Sequence, residues 1–343
     1  MATKSVLPRS LAAIGLCLGL VAAAQAGPYS GLYVFGDSLS DSGNDLVITG
    51  GAVPVATVYT DGSHTGRFTN GLNYADRMAS SLGLGLTASV LGGTDYAYGG
   101  ARTTYVQAGL PASAKSFNQQ IDAFDTTHAT ADAGALYVLW IGANDMSDAI
   151  KAAAGGSQTA IPTAIGTALS GIGGAIQNLA SRGAQHFLVF NLPDLSLVPQ
   201  VRAVGSPGFS DLARSASQAF NVNLTNTLAQ GAFSALDIHS FDVYAAQTDI
   251  TLNPASYGFS NVSSACYSGD VNGQPLPGGG TPTTCADPSH YMYWDFEHPS
   301  DALHAELAGR ALAAVVPEPA ALNLLLAGFG LLGLVRLRRR AAA

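Results

Sequence analysis

Four short apolar runs, at residues 32–35, 135–141, 186–190 and 236–241, are separated by much longer stretches, several of them rich in alanine. Two of those stretches, 161–180 and 211–229, carry apolar residues at helical spacing. Runs this brief read as strands buried on both faces, and their alternation with helices calls for a parallel sheet covered on each side. Sheets of that kind place their chemistry just beyond the C-terminal ends of the strands. The residues that follow each run are therefore the first candidates for function.

The two ends of the chain do not belong to this pattern. Lys4 and Arg9 precede an uncharged apolar stretch, 11–24, which closes on Ala24-Gln25-Ala26 with small residues at the positions a signal peptidase reads. Residues 1–26 are thus expected to be a signal peptide. At the other end, Pro317-Glu318-Pro319 is followed by the apolar segment 320–335 and then by Arg336, Arg338, Arg339 and Arg340. A buried core helix is the plain alternative, but it would not carry four arginines at its exit. Those arginines fit a cytoplasmic stop under the positive-inside rule, so 317–343 is expected to act as a membrane or sorting tail.

Between the ends lies a core of residues 27–316 with nine basic and 22 acidic residues, a net charge of −13. An acidic surface repels phosphate backbones, which argues against nucleic acid as a partner. The chain as a whole is 48% hydrophobic and 11% charged, so a solvated disordered chain is excluded as well. Once Cys17 leaves with the signal peptide, Cys266 and Cys285 remain. In an oxidising compartment such a pair reads as a disulfide across the Gly/Pro-rich stretch 269–280, the alternative being two free thiols. Neither has a second Cys or His nearby at zinc spacing.

After the first run comes Gly36-Asp37-Ser38-Leu39-Ser40-Asp41-Ser42-Gly43-Asn44. Ser38 stands two residues past a buried strand, where a nucleophile would sit, although Gly-Asp-Ser is also ordinary turn chemistry. It is not a Gly-x-Ser-x-Gly elbow, because Ser40 holds the last glycine position. After the second run comes Gly142-Ala143-Asn144-Asp145, whose Asn144 amide could donate to an oxyanion or simply cap a helix. The Gly99-Gly100 pair offers backbone N–H groups that a substrate oxygen can approach without a side chain in the way. Near the end, Tyr293-Trp294-Asp295-Phe296-Glu297-His298-Pro299 puts Asp295 and His298 three apart on a turn, with Ser300 as the expected N-cap of a helix reaching about Leu312. A carboxylate there can hold one imidazole nitrogen while the other faces the serine.

These blocks, in this order, resemble the GDSL family of SGNH hydrolases. Residues 35–44 resemble its first block, Gly66-Arg67-Phe68-Thr69-Asn70-Gly71 the stretch that often follows, Gly99-Gly100-Ala101 the second, Gly142-Ala143-Asn144-Asp145 the third and residues 293–299 the last. The resemblance spans about 31–313. It implies Ser38 as nucleophile, His298 as general base and acid, Asp295 as its orienter, and an oxyanion hole of the Ser38 N–H, the Gly100 N–H and the Asn144 amide, with Gly99 the open alternative to Gly100. It also implies a three-layer α/β/α sandwich, flavodoxin-like, on a parallel sheet of about five strands. The C-terminal order of Pro-Glu-Pro, apolar segment and arginines resembles the PEP-CTERM sorting signal of Gram-negative bacteria, which implies an exosortase-type partner, localisation to the cell envelope or extracellular matrix, and transient anchoring in the inner membrane.

The expected activity is that of an exported esterase or lipase working through an acyl-enzyme, with neither a metal nor an organic cofactor. Its ester substrate is a lipid or an acetylated glycan. Two alternatives accompany this reading: an O-deacetylase of extracellular polysaccharide, and an inactive surface or matrix protein on the same fold.

Overall fold

A computed structural model describes residues 27–316. The main sheet is parallel and four-stranded, in the order β1 (Leu32–Gly36), β2 (Leu136–Trp140), β3 (His186–Phe190), β4 (Asp237–Phe241). All five residues of β2 are buried, as expected for a strand covered on both faces. By contrast β4 forms an edge: its Asp237 meets His186 at 2.8 Å and His239 at 3.1 Å, a charged fringe that discourages further strand pairing.

The sheet has one strand fewer than the five expected. Segment 94–98 runs beside β1, with Val34 N donating to Thr94 O at 3.0 Å and Tyr96 N to Val34 O at 2.8 Å, yet only Asp95 bridges in the parallel sense. Tyr98 N also reaches Gly36 O at 3.4 Å, but Gly36 N, the donor for the next rung, is bonded to Gln120 Oε1 at 2.9 Å, so the pairing does not extend as a ladder. If it is counted as second in chain order, the sheet runs 2-1-3-4-5, the flavodoxin-like order.

Nine helices lie among the described residues: α1 (Asn44–Ile48), α2 (Tyr74–Ser81), α3 (Phe117–Thr127), α4 (Ala143–Ala154), α5 (Ala160–Ser181), α6 (Pro199–Ala203), α7 (Pro207–Leu228), α8 (Val243–Leu252) and α9 (Asp301–Val315). The two long helices expected from spacing are α5 and α7, and Ser300 caps α9 by accepting from Leu303 N at 3.2 Å. Helix α2 packs on α9, while α3, α4, α5 and α7 pack on one another, which gives the two outer layers. Aromatic rings fill the space between layers and sheet: Trp140 stacks on Phe190 at 4.8 Å and Tyr74 lies against both.

A second small sheet pairs β5 (Asn261–Ala265) with β6 (Tyr291–Tyr293), and no apolar run announces it. Cys266 follows β5 and is bonded to Cys285, their Cα atoms 4.8 Å apart. The bridge closes a loop that hangs from the strand leading into Asp295 and His298. The expected signal peptide, 1–26, and the tail 317–343 with its apolar segment 320–335 lie outside the described residues. Among the described residues no helix is long and apolar enough to cross a membrane.

Candidate active site

Ser38 stands at the crest of a turn fixed from below. At the end of β1, a Cβ on Gly36 would overlap the Trp140 carbonyl, so only glycine permits so close a strand approach. Gly36 N donates to Gln120 Oε1 at 2.9 Å and Gln120 Nε2 returns a bond to Gly36 O at 2.8 Å. Beyond it, Ser40 N and Asp41 N donate to Asp37 O, and Leu39 N donates to Asp37 Oδ1. The Ser38 N–H has no acceptor among the described residues.

The turn after β6 brings the other two residues in. His298 Nε2 lies 2.9 Å from Ser38 Oγ, and its Nδ1 lies 2.8 Å from Asp295 Oδ2 and 3.0 Å from Oδ1. Asp295 also accepts from the amides of Glu297 (2.8 Å) and His298 (2.7 Å) and from the Tyr59 hydroxyl (2.6 Å). Both side chains are buried, and Phe68 covers the imidazole with ring centres 5.3 Å apart. Burial opposes charge on Asp295, but the adjoining imidazole and the bonds from His298, Tyr59 and Glu297 outweigh it and hold the carboxyl below its usual value. Burial likewise opposes protonation of His298, and here the Asp295 carboxylate, helped by Glu297 and Asp37, outweighs it and raises the imidazole above 6.5.

Gly100 and Asn144 both reach the same space as Ser38. Gly100 has a φ of +66°, and a Cβ there would approach Gln107 to 2.9 Å, so the position requires glycine. Its N–H has no acceptor among the described residues, whereas Gly99 N is already bonded to Asp41 Oδ2 at 3.2 Å. Of the two glycines left open by the sequence, Gly100 is thus the one whose N–H is uncommitted among the described residues. Asn144 is not the cap of α4, since Gly142 takes that place; it sits in the first turn and donates one amide hydrogen to Ala101 O at 3.0 Å.

Asp41 supports this arrangement. It accepts from Gly43, Asn44 and Asp45 at the start of α1 and from Gly99, which ties the first block to the second. Asp45 and Asp95 lie close by, fully buried, and burial together with the Asp41 charge raises both well above the ordinary carboxylate value. Neither oxygen of Asp45 has a hydrogen-bond partner. Burial also raises Asp37, to about 7. Among the described residues there is no group of three or more side chains able to hold a metal ion.

Two cavities meet at Ser38 and His298. One, of about 180 Å³, is largely apolar and lies over the C-terminal ends of the strands. The other, of about 910 Å³, is a wider cleft whose wall mixes glycines and polar side chains with Val53, Leu110 and Leu276 and includes the loop closed by the Cys266–Cys285 bridge. Spacing gave no hint of Tyr59, which approaches from a segment without a motif. Phe68 lay in the recognised 66–71 stretch, but its place over the imidazole was not legible there.

Residues 32–311 match the GDSL-like lipase/acylhydrolase family, and residues 315–340 match the PEP-CTERM protein-sorting motif. Among curated proteins, the chain is 28% identical to GDSL esterase/lipase At4g16230 of Arabidopsis thaliana, over 82% of this chain and 86% of that one. It is also 28% identical to GDSL esterase/lipase At3g50400 of the same plant, with the same coverage. Of solved structures, the lipase Lip_vut3 from a goat rumen metagenome aligns at 13% identity with a TM-score of 0.44, covering 83% of this chain and 97% of that one.

Proposed function

Since the chain belongs to the GDSL-like lipase/acylhydrolase family, we propose that it is an exported carboxylic ester hydrolase in which Ser38 is the nucleophile, His298 the general base and acid, and Asp295 the residue that orients and charges the imidazole. The observation that supports this most is the unbroken chain from Ser38 Oγ through both nitrogens of His298 to Asp295, with contacts of 2.9 and 2.8 Å.

His298 removes the Ser38 proton as Oγ attacks the ester carbonyl. The carbonyl oxygen, now anionic, is met by the N–H groups of Ser38 and Gly100 and by the remaining amide hydrogen of Asn144. As the intermediate collapses, His298 returns the proton to the departing alcohol, leaving the acyl group on Ser38. Water, deprotonated by the same imidazole, then releases the acid and restores the serine. Every step uses side-chain and backbone groups of this chain together with the ester and water. An inactive matrix protein would have no use for a buried imidazole poised on a serine hydroxyl.

The PEP-CTERM match indicates export and sorting to the cell envelope. In our reading the tail anchors the protein transiently in the inner membrane of a Gram-negative cell, after signal peptidase has removed residues 1–26 and until an exosortase-type enzyme cuts near Pro317-Glu318-Pro319. The catalytic assignment is tested by assaying Ser38→Ala on p-nitrophenyl acetate and butyrate. Loss of hydrolysis with an unchanged melting temperature is expected, and a variant that keeps wild-type turnover would remove the assignment.

A further inference from the structure

We propose that the apolar cavity beside Ser38 takes the acyl chain of a medium-chain ester, and the wide cleft takes its alcohol. This rests on the ester-hydrolase reading above and narrows its substrate class.

The two spaces differ in chemistry. The smaller is walled by Ile150 of α4, Val201 of α6, Phe209 of α7, Val243 of α8, and Leu303 and Leu307 of α9. Of its ionisable liners, Asp37 and His298 stand at the Ser38 end, Lys151 and Glu297 are exposed at the rim, and the Gln247 side chain is engaged by Tyr293 and by the Asp194 amide. A guest that fills such a space must be apolar along its length and polar only at the Ser38 end, which describes a fatty acyl group. The wider cleft is mixed: Ser268, Asp270, Asn272 and several glycines stand among Val53, Leu110 and Leu276, a surface richer in hydrogen-bonding partners than the smaller cavity and so better suited to a hydroxylated alcohol.

Volume sets the chain length. A cavity of about 150 Å³ holds a benzene-sized guest, so about 180 Å³ suits a chain of roughly six to eight carbons on the same scale. An acetyl group would leave the apolar walls unfilled, which weighs against the O-deacetylase alternative. Helix α6 forms the roof and is pinned to the catalytic turn: Gln200 N donates to Phe296 O at 2.8 Å and Gln200 Nε2 to Glu297 Oε1 at 2.5 Å. The cavity therefore keeps its shape relative to His298.

Each methylene moved from water into such a space is worth up to about fourfold in specificity. Measured with the mature enzyme on p-nitrophenyl esters from acetate to palmitate, kcat/KM should rise at least tenfold from acetate to octanoate and fall again at palmitate. Val201→Trp fills the cavity, and Val204→Trp fills it from a more exposed position on the same roof. Each should lower the octanoate-to-acetate ratio at least tenfold. A wild-type ratio at or below one, or a ratio untouched by both variants, overturns the acyl assignment and leaves the hydrolase reading standing. A wild type inactive on every ester, acetate included, removes the reading underneath as well.

Discussion

Tyr59 donates its hydroxyl to Asp295 Oδ2 at 2.6 Å, linking residues 236 positions apart. The same ring packs edge-on against Tyr267 and Trp294, so the disulfide-bearing region and the Asp295–His298 turn are held by one side chain. A hydrogen bond to a charged acceptor contributes about 1.5–3 kcal/mol, and part of that holds Asp295 against the imidazole. Tyr59→Phe should therefore lower kcat about tenfold with little change in KM for a short ester. Steady-state kinetics would show this, and an unchanged kcat would mean that the bond serves packing alone.

The raised basicity of His298 fixes the sign of the pH response. Only neutral imidazole can accept the serine proton, so kcat/KM should fall with acidification, with a midpoint above the ordinary 6.5. Asp295→Asn should move that midpoint to lower pH while cutting turnover by several orders of magnitude. For stability the shift works the other way: its contribution is complete below about 6.5 and fades as the pH rises through the raised value. A pH–rate profile of both proteins tests this, and coincident acid limbs would contradict it.

Asn144 has one amide hydrogen committed to Ala101 O and one free. If the free one meets the oxyanion, Asn144→Ala should reduce kcat about 10²- to 10³-fold and leave KM nearly unchanged. A variant affected only in KM would show that the amide binds substrate without stabilising the transition state.

Asp45 is buried with both oxygens unpartnered, and burial and the Asp41 charge raise it. A carboxyl raised in the folded state contributes stability that is complete below its unfolded value near 3.8 and is lost as the pH rises through the folded one. Asp45→Asn removes the ionisation and nearly keeps the shape. Its melting temperature should rise relative to wild type as the pH goes from 5 to 8, and a constant offset across that range would argue against a buried, titrating carboxyl.

Much of this was legible in the sequence because it is local. Apolar continuity marks β1, β2 and β3, and helical spacing marks α5 and α7. Ser38 and Asn144 follow β1 and β2 directly, so position along the chain indicates position in space, and the three-residue spacing of Asp295 and His298 makes their turn local. The rest depends on contacts between distant residues. Tyr59 meets Asp295 only because the small β5–β6 sheet folds beside it, and the polar run of β5, Asn-Val-Ser-Ser-Ala, carries no strand period. The fifth strand is cut short where Gly36 N bonds Gln120, 84 residues away, instead of the segment beside it, a contact that no spacing rule describes. That Gly99 N is taken up by Asp41, which favours Gly100 for the proposed oxyanion hole, is likewise a tertiary fact.

The central claim is that Ser38 is activated by His298. It is tested most directly by treating the mature enzyme with a fluorophosphonate and mapping the adduct by peptide mass spectrometry. The predicted result is one adduct, on Ser38, that disappears in His298→Ala and is blocked by prior incubation with an ester substrate. Labelling at another residue, or labelling of Ser38 that is indifferent to the loss of His298, would contradict it.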